Sequence, residues 1–272
     1  MTLTTHFLIN GKSDNGLSPL DRGLAYGDGV FRTLKVRQGL PDSWSLHYQK
    51  LKYDCGILEI SCPDPELLLA DIERLFTPEE EAIAKIVITR GAGLRGYAIP
   101  AAATPTRIVI RENNPHYPRD NFEHGVNLHL CNLRLSHQPR LAGIKHLNRL
   151  ENVMARSEWS DSSLVDGVLL DQEDCVIECT MSNLFGRIGK TLVTPSLDKC
   201  GVAGVTRQRI LDNAPYLGYE AEVRALPLEQ LMQADEVIIC NSVFGAWQVR
   251  NFNNRKWPRQ DLASRIQTML WE

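Results

Sequence analysis

Residues 141–148 read Leu141-Ala142-Gly143-Ile144-Lys145-His146-Leu147-Asn148, a largely apolar run with one lysine near its centre. If that lysine is buried, desolvation lowers its pKa, because burial disfavours the charged form. The neutral amine can then attack a carbonyl group. A lysine that covers apolar surface and keeps its amine in water is the simpler explanation of this run taken alone. Lys145 is therefore a candidate nucleophile that needs support from elsewhere in the chain.

A carboxylate lies within an apolar run further along, Val176-Ile177-Glu178-Cys179, which is predicted to be a strand. Alternate residues of a strand share a face, so Glu178 lies on the same face as Val176. If that face is buried, Glu178 needs a positive partner, since an isolated buried carboxylate is costly. A protonated pyridine nitrogen is one such partner. A glutamate on an edge strand facing water is the alternative.

Glycines lead into a predicted helix in the run Gly201-Val202-Ala203-Gly204-Val205-Thr206-Arg207. The first amides of that helix, with the Thr206 hydroxyl, could hold a phosphate. A plain loop with Thr206 as a helix N-cap is the alternative. Asn241 and Ser242 follow a strand predicted at 236–240 and offer further amides and a hydroxyl.

Residues 91–96 match the pattern G-x-G-x-x-G and follow a predicted strand. A dinucleotide-binding site requires a helix directly after this pattern. Residues 97–105 contain Pro100 and Pro105 and do not favour one, so we reject a nicotinamide oxidoreductase. The residues favour a flexible loop that presents Arg95 and Tyr97 to an anionic substrate, with a glycine-rich hairpin as the alternative.

The bulk composition narrows the class of protein. The 272 residues are 43% hydrophobic and 23% charged with a net charge of −3, so no clustered positive field indicates a nucleic acid or a membrane surface as partner. Seven cysteines without a C-x-x-C pair indicate reduced thiols, and Cys175 and Cys179 lack the further ligands of a zinc site. Residues 1–10 resemble neither a signal peptide nor a membrane span. We expect a soluble cytoplasmic protein without a metal.

The polar segment at 112–118 predicts a boundary between two domains. We expect a small N-terminal α/β domain at 1–115, a linker at 116–121 and a larger, strand-rich domain at 122–272. The later strands do not alternate strictly with helices, which indicates an α+β fold. Apolar spacing predicts helices at 46–57, 66–76, 148–159, 206–213, 228–233 and 260–270. Strands are predicted at 30–37, 85–89, 107–110, 126–135, 167–170, 176–179, 184–188, 192–194, 220–224 and 236–240, with a hairpin around Asn10-Gly11.

The order and spacing of five segments resemble one family closely. These segments are 21–31, 89–97, 142–151, 178–185 and 201–207. The family is the branched-chain and D-amino-acid aminotransferase group, fold type IV among the enzymes that use pyridoxal 5′-phosphate (PLP). Within it, the Lys-His-Leu-Asn-Arg-Leu-Glu string at 145–151 and the Arg-Gly-x-Gly-x-Arg-Gly-Tyr loop at 90–97 are similar to the lyase members.

The resemblance implies roles for individual residues. Lys145 would hold PLP covalently and then transfer protons, and Glu178 would pair with the pyridine nitrogen. The phosphate would be held by Val205, Thr206, Asn241 and Ser242. Lys50 stands where the family usually has an arginine that binds the phosphate, and it offers a point charge without the bidentate fork. Looser cofactor binding is the expected consequence.

The resemblance also implies a substrate and an assembly. Tyr26, Arg95 and Tyr97 are candidates for binding the substrate, and a homodimer is expected, with the site near the subunit interface. The implied reaction releases pyruvate from 4-amino-4-deoxychorismate and leaves 4-aminobenzoate, a folate precursor. A D-amino-acid or branched-chain aminotransferase would use the same Lys145 and Glu178 and is the alternative. A PLP-binding protein without catalytic activity is a more remote one.

Overall fold

A computed structural model of the chain describes residues 6–13, 16–93 and 95–271. Its residues group into two compact units. The N-terminal unit consists of 1–115 together with 144–148, and the C-terminal unit consists of 116–143 together with 149–272. The grouping differs from the predicted domains in two places, since 144–148 pack with the N-terminal unit and the predicted linker belongs to the C-terminal one. The functional assignment of the two domains stays a prediction.

The N-terminal unit is an antiparallel sheet with helices packed against it. Its helices are α1 (Arg22–Tyr26), α2 (Trp44–Ile57) and α3 (Pro65–Leu75). Its strands are β1 (His6–Ile9), β2 (Gly29–Arg37), β3 (Leu40–Pro41), β4 (Glu81–Thr89) and β5 (Thr106–Asn113), in the order β1-β5-β4-β2-β3. The core of the unit is formed by apolar side chains of β2, β4, α2 and α3, among them Leu34, Ile86, Leu51 and Leu68.

Strand β2 places one cation in this apolar layer. Alternate residues of β2 are buried, as expected for a strand with one face on a core. Val30, Leu34 and Val36 supply apolar side chains to that face, and Arg32 lies between them with 3% of its surface exposed. Arg32 therefore needs a negative partner inside the unit.

The predicted N-terminal hairpin is present only as a turn. Asn10 and Gly11 have positive φ values of 49° and 77°, and Ile9 bridges to Lys12. Beyond that bridge, β1 pairs with β5, a strand about a hundred residues later in the sequence. The strand partner is therefore set by a long-range contact that local periodicity does not reveal. The polar residues expected to follow the turn, up to Leu20, include residues 14 and 15, which lie outside the described residues.

The C-terminal unit contains a larger mixed sheet. Its helices are α4 (Arg119–Glu123), α5 (Leu150–Arg156), α6 (Val205–Asn213), α7 (Leu228–Gln233) and α8 (Leu262–Trp271). Its strands are β6 (Val126–Leu135), β7 (Leu164–Asp171), β8 (Val176–Cys179), β9 (Asn183–Ile188), β10 (Thr191–Pro195), β11 (Glu220–Arg224), β12 (Glu236–Asn241), β13 (Gly245–Phe252) and β14 (Arg255–Lys256). The sheet order is β11-β10-β9-β12-β13-β6-β7-β8, with β14 paired to β13.

Three neighbouring pairs of this sheet are parallel: β10 with β11, β13 with β6, and β6 with β7. The other pairs are antiparallel. This mixture, with helices between some strands and hairpins between others, confirms the predicted α+β fold of two parts. None of the helices in the described ranges is both long and apolar enough to cross a membrane.

Candidate active site

Lys145 is fixed in the N-terminal unit by main-chain hydrogen bonds to the start of β2. The N–H of Phe31 donates to the carbonyl oxygen of Lys145 at 2.9 Å, and the N–H of Leu147 donates to the carbonyl oxygen of Gly29 at 3.0 Å. His146 forms a β-bridge with Val30. Residues 144–148 are therefore extended along β2, which explains why this short segment belongs to the N-terminal unit although its neighbours in sequence do not.

The side chain of Lys145 is half-buried and lies over an aromatic ring. Its Nζ is 4.4 Å from the centroid of the Phe31 ring. An ammonium over a ring face at this distance is stabilised by about 0.5–2 kcal/mol. Phe31 thus restricts where the amine can lie.

A buried carboxylate also holds the main chain of Lys145. Asp54, which has no exposed surface, accepts the main-chain N–H of Lys145 on Oδ2 at 3.1 Å. The same carboxylate forms ion pairs with Arg32 and with Lys50, one turn earlier in α2. Asp54 is therefore the negative partner that the cation on the buried face of β2 requires.

Burial and the ion pairs act in opposite directions on the two cations. Burial lowers the pKa of Arg32, while the Asp54 carboxylate opposes that shift. Burial likewise lowers the pKa of Lys50, and again Asp54 opposes it. Lys50, the predicted phosphate ligand, thus has an intramolecular partner in Asp54. Its role toward a phosphate stays a prediction.

The glycine-rich loop brings together two of the predicted substrate-binding residues. The rings of Tyr26 and Tyr97 have centroids 5.3 Å apart, and the N–H of Gly96 donates to the Tyr26 hydroxyl at 3.4 Å. Arg22 holds this loop by donating to the carbonyl oxygens of Gly96 and Tyr97 at 3.0 and 3.2 Å. Tyr97 is 86% exposed and Arg95 is exposed as well. Both side chains are thus accessible to a ligand.

Asp28 anchors the base of the same loop. It forms ion pairs with Arg22 at 2.8 Å and with Arg90 at 2.7 Å. Burial raises the pKa of Asp28, but hydrogen bonds from the two guanidinium groups outweigh this and lower it overall. Asp28 therefore stays ionised and holds both arginines in place.

Glu178 is buried in the C-terminal unit, so a glutamate facing water does not describe it. The side chain is 4% exposed, and its Oε2 accepts the main-chain N–H of Val202 at 2.9 Å. Arg149 is a further charged neighbour: burial lowers its pKa, and the carboxylates of Glu178 and Glu151 oppose that shift. Glu178 is thus held in one position by its own unit and is electrostatically coupled to a cation.

The N-terminus of α6 carries the residues predicted to hold a phosphate. Gly204 is the N-cap of this helix, which corrects the alternative in which Thr206 has that role. Thr206 lies within the first turn, and its hydroxyl is 3.0 Å from the hydroxyl of Ser242. Main-chain amides at a helix N-terminus and two adjacent hydroxyls form a donor set that suits an anion.

The side chain of Asn241 forms hydrogen bonds within the protein, and the predicted phosphate contact through main-chain amides at 241–242 stays a prediction. Its Oδ1 accepts the main-chain N–H groups of Val243 and Phe244 at 2.9 and 3.0 Å, and its Nδ2 donates to the carbonyl oxygen of Met181 at 3.2 Å. The side chain therefore shapes the turn that presents Ser242. A phosphate contact from Asn241 would have to come from its main chain.

Three residues that hold or neighbour the predicted site residues were not predicted from the sequence: Asp54, Arg149 and Asn183. Asp54 is signalled only by the cation that β2 places on its apolar face. Arg149 lies within the lyase-like string at 145–151, but the resemblance assigned it no role. Asn183 lies at the start of β9, and its side chain accepts the main-chain N–H of Gly204. Among the described residues, no group of three or more His, Cys, Asp or Glu side chains could hold a metal ion.

Comparison with known proteins identifies the class. The family model "Amino-transferase class IV" matches residues 29–252, and the chain belongs to that family. The predicted family resemblance is confirmed. The family implies PLP as cofactor.

Particular relatives narrow the class further. An aminodeoxychorismate lyase of Vibrio harveyi is 35% identical over 97% of this chain and 99% of its own length. The crystal structure of a 4-amino-4-deoxychorismate lyase from Pseudomonas aeruginosa is 43% identical, with a TM-score of 0.92 and coverage of 97% of both chains. The PLP-bound form of a hypothetical aminotransferase from Mycobacterium tuberculosis shares the fold, with a TM-score of 0.82 over 98% of this chain and 97% of its own at 20% identity.

Proposed function

We propose that the protein is a PLP-dependent carbon–oxygen lyase that converts 4-amino-4-deoxychorismate to 4-aminobenzoate and pyruvate, a step of folate biosynthesis. The observation that carries this proposal is the similarity, in sequence and in structure, to two aminodeoxychorismate lyases, each over 97% of the chain. The lyase-like string that begins at Lys145 supports it from the sequence.

The residues present fit the cofactor. PLP carries an aldehyde, a ring nitrogen that is protonated in the active form, and a phosphate. The chain offers an amine at Lys145, a buried carboxylate at Glu178 and a helix N-terminus with two hydroxyls at Thr206 and Ser242. Each group of the cofactor thus has a donor or acceptor of suitable chemistry, and the main chain holds Lys145 and Glu178 in place.

When bound, PLP supplies an electron sink that stabilises negative charge developing on the substrate. Lys145 is the residue that would hold the cofactor covalently, and its Nζ would serve as the proton acceptor while the substrate amine is bound to the cofactor. The Nζ of Lys145 would remove the proton from the ring carbon that bears the substrate nitrogen. The C–O bond to the enolpyruvyl group would then break, leaving an aromatic ring and releasing enolpyruvate, which takes up a proton to become pyruvate. The proton accepted by Lys145 Nζ is available for this step.

Other residues of the chain would control charge around this proton transfer. Glu178 would keep the ring nitrogen protonated, since a buried carboxylate favours a cation beside it. Phe31 would hold the Lys145 ammonium after it has accepted the proton, because the ring face attracts a cation. Lys50 would add a positive charge for the phosphate. Arg95, Tyr97 and Tyr26 would bind the carboxylates of the substrate.

A paired assay tests the proposal against its alternatives. The purified protein is given 4-amino-4-deoxychorismate, with 4-aminobenzoate measured by fluorescence and pyruvate by a coupled lactate dehydrogenase reaction. In parallel it is given D-alanine or L-leucine with 2-oxoglutarate, and amino-group transfer is measured. We expect equimolar 4-aminobenzoate and pyruvate. Amino-group transfer without 4-aminobenzoate would establish the aminotransferase alternative, and a yellow protein without either product would establish a non-catalytic PLP-binding protein.

We also propose a cytoplasmic homodimer. Helix α5 presents Leu150, Val153 and Met154 on one side, and these side chains are 74%, 61% and 61% exposed. Three apolar residues at this spacing form a stripe that favours burial against a second copy. All seven cysteines are free thiols, which supports a reducing compartment. Light scattering should give twice the chain mass, and Val153→Glu should halve it, whereas Tyr216→Glu at another exposed position should not.

A further inference from the structure

The side chain of Asn183 contacts two parts of the C-terminal unit that are proposed to bind the cofactor. These are the loop next to Glu178 and the N-terminus of α6. It is buried, with 7% of its surface exposed, at the first position of β9. Its Nδ2 donates to the carbonyl oxygen of Val202 at 2.8 Å, and its Oδ1 accepts the main-chain N–H of Gly204 at 3.1 Å. One primary amide therefore satisfies an acceptor and a donor of the main chain two residues apart.

The first of these contacts leads to Glu178. Val202 donates its N–H to Glu178 and accepts from Asn183 on its carbonyl oxygen. The peptide units on both sides of Val202 are thus bound, one by the carboxylate and the other by the amide. A shift of this loop would move the hydrogen bond that orients Glu178.

The second contact leads to the N-terminus of α6. Gly204 is the N-cap of that helix, and Thr206 follows in its first turn. The amide of Asn183 lies directly against Gly204: a Cβ added there would be 2.4 Å from Asn183 Oδ1. The backbone of Gly204, with φ −73° and ψ 149°, is open to any residue. A side chain at this position would therefore have to displace the amide of Asn183, whereas the backbone itself would not be strained.

We infer that Asn183 is a positioning residue that fixes the spacing between the Glu178 carboxylate and the phosphate-binding N-terminus of α6. The inference rests on the proposed function. PLP is rigid between its ring nitrogen and the atom that bears its phosphate arm, so both protein groups must lie at a set separation to bind it together. The loop at 202–204 joins the two groups, and Asn183 holds that loop at both ends.

The test compares PLP with pyridoxal, which has the same ring and aldehyde but lacks the phosphate. Apo-protein is prepared with hydroxylamine, and each ligand is titrated while tryptophan fluorescence and visible absorbance are recorded. Asn183→Ala should weaken PLP binding by about 10- to 100-fold, the size found for residues that orient metal ligands, and pyridoxal by less than about threefold. The pyridoxal-to-PLP ratio of dissociation constants should therefore fall by at least about threefold.

Gly204→Ala perturbs the same contact from the other side. Its Cβ displaces the amide of Asn183, so the ratio should fall as in Asn183→Ala. If the glycine acts through Asn183, the double variant should lose no more than Asn183→Ala alone, because the clash disappears with the amide. Asn213→Ala is the matched control, since Asn213 donates one hydrogen bond at 2.8 Å to Arg209 in the last turn of the same helix.

The outcomes separate this inference from the proposed function. A wild-type protein that binds no PLP would overturn both. A wild-type protein that binds PLP, with variants whose pyridoxal-to-PLP ratio is unchanged, would overturn the positioning role alone, even if their apo-protein melts at lower temperature. Should Asn183→Ala fail to fold, Gly204→Ala decides the question by the same ratio.

Discussion

Replacing Asp54 with asparagine removes the negative charge that Arg32 and Lys50 share in the N-terminal unit. The change conserves volume, so it opens no cavity. It leaves Arg32 without compensation at 3% exposure. Removing one partner of a buried ion pair typically costs about 3–5 kcal/mol, because the remaining charge stays desolvated. We expect the free energy of unfolding of the N-terminal unit to fall by that amount.

Asp42→Asn is the matched control. Asp42 forms an ion pair with Arg37 at 2.8 Å in the same unit, but the two side chains are 22% and 35% exposed. A pair of this kind contributes about 0–1 kcal/mol. Hydrogen exchange of peptides from β2, β4 and α2, measured at increasing urea concentration, reports the free energy of unfolding of this unit. If the two variants lower the free energy of unfolding of this unit by amounts that differ by less than about 1 kcal/mol, the buried ion pair does not have the expected effect.

Further predictions concern the reacting groups and one thiol. Lys145→Ala should abolish turnover and the visible absorbance of the lysine-bound cofactor; unchanged activity would end the proposed mechanism. Glu178→Gln should retain some PLP but lose most of the rate, because an amide does not hold the ring nitrogen protonated, and a kcat near that of the wild type would contradict this. Cys62 should be the first thiol alkylated by iodoacetamide, because a hydrogen bond with Cys55 lowers its pKa from the ordinary 9.0. Peptide mass spectrometry checks this, and faster labelling of Cys175, whose pKa burial raises, would count against it.

Local patterns in the sequence located most of the secondary structure. The predicted bounds of β6, β8, β11 and α7 coincide with the observed ones. The clearest patterns among them are the alternation of apolar and polar residues in β6 and the short, largely apolar run of β8. Strand β13 was not predicted, although Trp247, Gln248, Val249 and Arg250 alternate between apolar and polar residues. Helices α1 and α4 have five residues each and are too short for a helical period to appear.

Long-range contacts account for the remaining differences. The helix predicted from residue 148 begins at Leu150, because Asn148 instead donates to the carbonyl oxygen of Gly27, 121 residues earlier. The support of Lys145 by Asp54 spans 91 residues. Neither contact has a local signature, so spacing alone could not find them. The family resemblance assigned roles to Lys145, Glu178 and Thr206 from the order of whole segments, and these roles stay predictions. Asn183 and Asp54 become visible only through their hydrogen bonds.

Residues 144–148 follow the rest of the N-terminal unit only after a gap in the sequence, and this affects how that unit folds during translation. The N-terminal unit lacks its last extended segment until residue 148 has been synthesised. Translation at about 5–20 residues per second needs roughly 2–7 s for the 33 residues from 116 to 148. During that interval the main-chain groups of Gly29 and Phe31 have no partner from this segment, and Asp54 waits for the N–H of Lys145. The N-terminal unit can therefore be completed only after Lys145 and its neighbours have been synthesised.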